Sequence, residues 1–165
     1  MIIEMKIAGL IFDPTSNSPI IILKDLEGKN ALPIWIGILE ASAIATEMEN
    51  IKPPRPMTHD LIKIMLDKLK ATIEKIVVRD LKNNTFFADI YVKMGGVEYV
   101  IDARPSDSLA LALRSGASIW VDRKVIEKSE KMDLQKAGDP ARTEKEKLME
   151  MLDTMDPKDF GKYKM

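Results

Sequence analysis

A chain of 165 residues with 45% hydrophobic and 31% charged side chains suits one folded domain with its own core. It holds no cysteine and one histidine, His59, which excludes thiol catalysis, disulfides and zinc sites built on cysteine or several histidines, so a bound metal would rest on carboxylates. The formal net charge of −1 lacks the global basic excess of many nucleic-acid binders without excluding a local basic stripe, and no apolar run approaches the roughly 18 residues of a membrane span.

Ile2 to Phe12 is rich in Ile and Leu with no helix-start signal, which predicts a strand. The same start lacks the basic region and small-residue cleavage site of a signal peptide, so a cytoplasmic chain with no membrane role is expected. Turn chemistry fills Asp13 to Pro19. Ile20 to Leu26 and Ala31 to Ile36 are two further strands around a turn at Glu27 to Asn30, and Pro33 favours an edge position or a strand start. From Gly37 the period changes, with Ala41, Ile44, Ala45, Met48 and Ile51 at helical spacing. Lys52-Pro53-Pro54-Arg55-Pro56 cannot continue that helix and reads as a stiff connector. Thr58 is a suitable N-cap for a second helix whose apolar face is Leu61, Ile62, Met65, Leu66 and Leu69, with His59 and Asp60 in its first turn.

Thr72 to Leu81, Thr85 to Met94 and Val97 to Ala103 form a second set of strands, separated by turns at Lys82-Asn83-Asn84 and Gly95-Gly96. The chain turns at Arg104-Pro105 and continues as a small-residue helix that stops at Gly116. Ile119 to Val121 is a short strand, Arg123 to Lys128 a short helix, and Ser129 to Thr143 a charged, mobile loop. Lys145 to Leu152 reads as a terminal helix, and Phe160 is an aromatic able to dock the tail.

Displacing the chain against itself by 67 positions sets Asp13 against Asp80, Asn17 against Asn84, Gly28 against Gly95, Ile34 against Ile101 and Glu40 against Asp107. The fold expected is α+β, with duplicated β-β-β-α units at about 1–66 and 67–129. Antiparallel meanders would pack with helices, and a loop and C-terminal helical tail would follow over 130–165. An exposed meander edge suits a homodimer.

Charge is dense at the second strand-to-helix junction, where Asp102, Arg104, Ser106 and Asp107 fall together and Arg114 lies two turns on at the Asp107 face. Two carboxylates and an arginine there could hold a divalent metal and a phosphate. Equally, Asp107 suits a helix first turn, Ser106 or Asp102 could satisfy orphan amides, and Arg104 could pair with a carboxylate. His59 near a helix N-terminus is biased toward the neutral form wanted of a general base, or is a capping residue. Glu40 stands where Asp107 stands in the other unit, as a ligand or a solvated glutamate. No glycine-rich phosphate loop, nucleophile elbow or dinucleotide fingerprint occurs.

Three separated motifs, L-P-I-W-I-G-I-L-E-A from Leu32, R-P-M-T-H-D-L from Arg55 and D-A-R-P-S-D-S-L-A-L-A-L-R from Asp102, resemble the bifunctional nuclease domain family. The similarity spans roughly Met1 to Ser129. The resemblance implies a nuclease acting on DNA and RNA, and Glu40, Arg55, His59, Asp60, Asp102, Arg104, Ser106, Asp107 and Arg114 as motif positions. On that reading Asp102 and Asp107, with Glu40, would bind magnesium or manganese, and His59, beside Asp60, would position or deprotonate water. Arg55, Arg104 and Arg114, with Ser106, would hold the phosphate. The rival class is a non-enzymatic binding or regulatory module in which the Asp/Arg set is an internal salt-bridge network.

Overall fold

In the computed structural model, which describes residues 1–136, both meanders lie in one seven-stranded sheet. β1 (Ile2–Phe12), β2 (Pro19–Asp25) and β3 (Ala31–Trp35) pair antiparallel in chain order. β4 (Ala71–Lys82), β5 (Thr85–Met94) and β6 (Val97–Ala103) do the same. β7 (Ser118–Asp122) joins the two sets, antiparallel to β1 and parallel to β4, giving the order β3-β2-β1-β7-β4-β5-β6. The class is α+β, and Pro33 lies on an edge strand, where its missing N–H costs no ladder bond.

The hairpin turns use the residues that their backbone demands. Asn83 and Asn84 (φ 49 and 62) and then Gly95 and Gly96 (φ 59 and 79) are left-handed pairs, the geometry whose twist matches a two-residue β-hairpin. Asp13 organises the β1–β2 turn by accepting bonds from the Thr15 amide (2.9 Å), the Ser16 hydroxyl (2.8 Å) and the Trp35 indole N–H (3.2 Å). These bonds hold its carboxyl well below the usual carboxylate range.

The helices are α1 (Ile38–Met48), α2 (Thr58–Lys68), α3 (Pro105–Ser115) and α4 (Arg123–Lys136). α1 and α3 pack against each other, and both bury small side chains, Ala41 and Ala45 on one and Ala110 and Ala112 on the other, which lets their backbones approach. The core contains Ile21, Leu23, Ile44, Ile76, Leu109 and Val121, each at 0% exposure. Gly116, at φ 67, ends α3 in the left-handed conformation.

Three local expectations change. Met57, not Thr58, is the N-cap of α2, and Asp60 Oδ2 accepts the Met57 amide at 2.9 Å. α4 continues through Lys136 where the composition suggested a loop from Ser129. Val125, Ile126 and Ser129 are buried, Met132 packs on the core, and the charges between them form the solvated side of a helix. The terminal helix and Phe160 lie outside the described residues. The apolar face expected for α2 does not become core: Leu61, Ile62, Met65 and Leu69 are exposed, no α2 residue is buried, and only Leu66 packs against the main cluster. Apolar burial therefore contributes little to holding α2.

β6 is the other edge strand, with Val97, Tyr99, Val100 and Ile101 exposed. Among the described residues no helix is long and apolar enough to cross a membrane. Removing the fully buried Leu109 side chain as Leu109→Ala is expected to cost about 2–5 kcal/mol. Leu61→Ala, at a half-exposed α2 position, is expected to stay within about 0.5 kcal/mol of the parent. Urea unfolding midpoints separate the two, and equal losses would contradict the placement of α2 outside the core.

Candidate functional site

The site is built where three helices begin. Glu40, Asp60 and Asp107 are the acidic residues in the first turns of α1, α2 and α3, where the exposed amides and the helix dipole favour negative charge. Pro105 opens α3 at its first position, where the missing N–H costs nothing, and Arg104 is the N-cap.

A continuous polar chain crosses these helix starts. His59 Nε2 lies 2.9 Å from Asp107 Oδ1, Arg104 Nε donates to Asp107 Oδ2 at 3.0 Å, and Arg104 Nη1 donates to Glu40 Oε1 at 3.0 Å. The far end depends on Gly37. A Cβ at that position would fall on the Glu40 carboxylate, so glycine permits Glu40 to fold back over the start of α1. Burial pushes the Asp107 carboxyl up, but the hydrogen bonds from His59 and Arg104 outweigh it and the net shift is downward. Asp107 is therefore a carboxylate with both oxygens engaged.

Arg114 and Asp60 form a second clasp. Arg114 Nε donates to Asp60 Oδ1 at 2.8 Å, Nη1 to the Ala110 carbonyl at 2.9 Å and Nη2 to the Ala43 carbonyl at 3.0 Å. One guanidinium thus ties α2, α3 and α1 together, and its side chain is only 5% exposed. The Asp60 carboxyl is lowered first by the Arg114 bond and then by the Met57 amide. Arg114, expected at a phosphate, and Asp60, expected beside the chemistry, here dock and cap α2, with their bonding atoms directed at one another and at the backbone.

Asp102 stands apart from this group. Strand alternation decides it: Ala88 and Ile90 on β5 are buried in the core, while Asp89, between them, is paired in register with Asp102. Asp102 Oδ1 accepts Arg79 Nη2 at 2.7 Å, and Asp89 Oδ1 accepts Arg79 Nε at 2.8 Å, on the sheet surface away from the core. The expected set Glu40, Asp102 and Asp107 is not assembled, and among the described residues no group of three or more His, Cys, Asp or Glu is arranged to hold a metal. The residues present do not fit a magnesium or manganese site. Arg79 and Asp89 were missed in the sequence reading. Regular alternation across the β4–β5 turn does not pair them, because the register shifts between Val78 and Asp80 and leaves Arg79 outside the ladder.

Two hollows flank the polar chain. A cleft of about 260 Å³ lies between the β3–α1 and β6–α3 junctions, lined by Trp35, Gly37, Glu40, Phe86, Arg104 and Ser106 among others. A second, of about 210 Å³, is lined by Arg55, Asp60 and the connector prolines. Arg55 is exposed. A family model described as "Bifunctional nuclease domain" matches residues 21–133, which takes in all of these elements except β1, the first two residues of β2 and the end of α4.

The chain belongs to the bifunctional nuclease domain family. An uncharacterised protein of Mycobacterium tuberculosis (strain ATCC 25618 / H37Rv) is 36% identical over 162 residues, covering 95% of this chain and 97% of that protein. Bifunctional nuclease 1 of Arabidopsis thaliana is 28% identical over 109 residues, 64% of this chain and 34% of that protein. Bifunctional nuclease 1 of Oryza sativa subsp. japonica is 26% identical over 109 residues, 64% of this chain and 33% of that protein. The likeness to the plant proteins therefore spans about a third of their length. In this bifunctional nuclease domain, the motif residues divide between a chain open to solvent at Arg104 and a closed clasp at Arg114.

The clasp has a pH signature. The Asp60 carboxyl is depressed in the folded state, so its contribution to stability is present above its unfolded value near 4 and is lost as pH falls through the lower folded value. Asp60→Asn should lower the urea midpoint at pH 7, with the gap to the parent narrowing as pH falls below about 4. Arg114→Ala, which strands the Asp60 charge, is expected to cost about 3–5 kcal/mol. A gap independent of pH would contradict the clasp.

Proposed function

We propose that this protein hydrolyses phosphodiester bonds in DNA and RNA by acid–base chemistry at His59. The observation that carries the reading is the His59–Asp107 pair at 2.9 Å. A carboxylate only accepts, so Nε2 carries the hydrogen and the neutral ring presents a lone pair at Nδ1. Nδ1 has no partner among the described residues. Asp107 fixes the ring and stabilises the imidazolium formed when Nδ1 takes a proton from attacking water. The water oxygen bonds to phosphorus, the bond to the leaving oxygen breaks, and that oxygen takes a proton from solvent.

Arg104 is the phosphate ligand of this reading. Its side chain is 66% exposed, and although Glu40 and Asp107 hold two of its nitrogens, Nη2 is left to donate. Arg55, just ahead of α2, is a second exposed cation on the same loop-and-helix segment as His59. The family supports the same activity through its plant members, which carry the name bifunctional nuclease. The Arg114–Asp60 clasp and the Arg79 pairs favour the other reading, a binding or regulatory module with a structural Asp/Arg network.

Cleavage of single- and double-stranded DNA and RNA by highly purified full chain decides between them, with magnesium, with manganese and with chelator. Cleavage is expected, with His59→Ala lowering the rate about 10²–10⁴-fold and Asp107→Asn lowering it as well. Equal rates for parent and His59→Ala would overturn the acid–base reading. Binding of these nucleic acids without cleavage would establish the binding module.

A further inference from the structure

The cleft between the β3–α1 and β6–α3 junctions contains a group that the fold leaves unsatisfied. Ser106 is 6% exposed and lines this cleft, yet its hydroxyl makes no hydrogen bond among the described residues, whereas Ser108 two positions on bonds the Arg104 carbonyl at 3.0 Å. A buried hydroxyl without a partner costs free energy and is retained where something outside the chain completes it.

The surrounding backbone has the same polarity. Neither α1 nor α3 has a side-chain hydrogen bond at its N-cap, Gly37 and Arg104 respectively. The first bond of the α3 ladder is Ser108 N–H to the Arg104 carbonyl, and that of α1 is Ala41 N–H to the Gly37 carbonyl. The amides of Ser106 and Asp107, and those of Ile38 to Glu40, precede these first bonds, and Pro105 has no N–H. Two helix N-termini therefore open on one cleft. Its charged lining is Arg104 and Glu40, which offset each other, while each helix start adds roughly half a positive charge. Asp107 lies behind Arg104, already bonded to it and to His59.

We infer that this cleft is a binding site for one nucleotide unit, its phosphate received by Ser106 Oγ–H, the α3 amides and Arg104, and its base stacked on Trp35. Trp35 is 43% exposed while its indole N–H is tied to Asp13 at 3.2 Å, so the ring is held by one edge and its surface is free for a base. The volume of about 260 Å³ is below the range of about 300–1,000 Å³ for pockets that enclose a small ligand, so a nucleotide here would be held with part of its surface in solvent. Glu40 is the internal competitor, because its carboxylate occupies Arg104 Nη1, the donor nearest α1. The inference rests on the phosphodiester reading above and specifies where that substrate is held.

Amide and indole NMR shifts of the full chain, titrated separately with adenosine 5′-monophosphate, inorganic phosphate and adenosine, test it. The nucleotide should move the Ser106 and Asp107 amides and one indole signal. Phosphate should move the amides alone and more weakly, and adenosine the indole alone. Ser106→Ala should weaken nucleotide binding about tenfold or more while leaving the melting temperature unchanged or raised, an outcome opposite to that of a structural hydroxyl. Glu40→Gln should tighten it. Unchanged affinity in Ser106→Ala, a lowered melting temperature, or shifts away from these amides would overturn the site. Cleavage by a chain that shows no shift here would leave the nuclease reading standing without this site. Nucleotide binding here without cleavage would keep the site and remove that reading.

Discussion

The docking of α2 by charge is the constraint on which the rest of the site depends. A surface helix ordinarily attaches through an apolar stripe, yet α2 buries no residue and is fastened at its N-terminal end by Asp60 to Arg114 and His59 to Asp107. Arg114 extends the fastening to α1 through the Ala43 carbonyl. Because the clasp and the His59 pair are adjacent in sequence, whatever sets Asp60 also sets the imidazole. Precision at His59 is thus inherited from a partly buried pair one residue away.

The two arginines of the third motif show how burial divides one residue type between two roles. Arg114, nearly closed off with its donors directed to a carboxylate and two carbonyls, can exchange partners only by leaving a charge unpaired in a poorly solvated place. Arg104 makes comparable bonds to Asp107 and Glu40, but two-thirds of its side chain is open to water. Exposed pairs of this kind contribute about 0–1 kcal/mol, so exchanging Glu40 for an incoming phosphate oxygen costs little. The same contrast explains the helix starts. Acidic residues in the first turns are favourable for the dipole, and at α1 and α3 they bend toward Arg104 without closing off every amide.

Much of the strand and turn order was legible because it is local. Alternation, the Asn83-Asn84 and Gly95-Gly96 pairs and the stop at Gly116 each act within a few residues. What was not legible is what depends on distant partners. β7 takes the central place because its Ile119 and Val121 fill the seam between β1 and β4, and nothing in a five-residue segment announces a neighbour so far back in the chain. Only the first half of α4 reads as a helix from the sequence, because charges outnumber apolar residues from Ser129 on, though the buried Val125, Ile126 and Ser129 stand at helical spacing. At the site, Asp102 and Asp107 looked like companions by proximity in sequence, but the last strand residues alternate across the sheet and send Asp102 to Arg79. His59 and Asp107, separated by 48 positions, were both singled out as residues; their bond follows only from the packing of α2 on α3.

The central claim is that Asp107 holds His59 in the tautomer with hydrogen on Nε2 and the lone pair on Nδ1. Since His59 is the only histidine in the chain, its ring nitrogens can be assigned without ambiguity in a long-range ¹H–¹⁵N correlation spectrum of the uniformly labelled protein. The account predicts an Nε2–H form for the neutral ring in the parent, and loss of that single-tautomer signature in Asp107→Asn. An Nδ1–H form, or ring signals unchanged by Asp107→Asn, would contradict it.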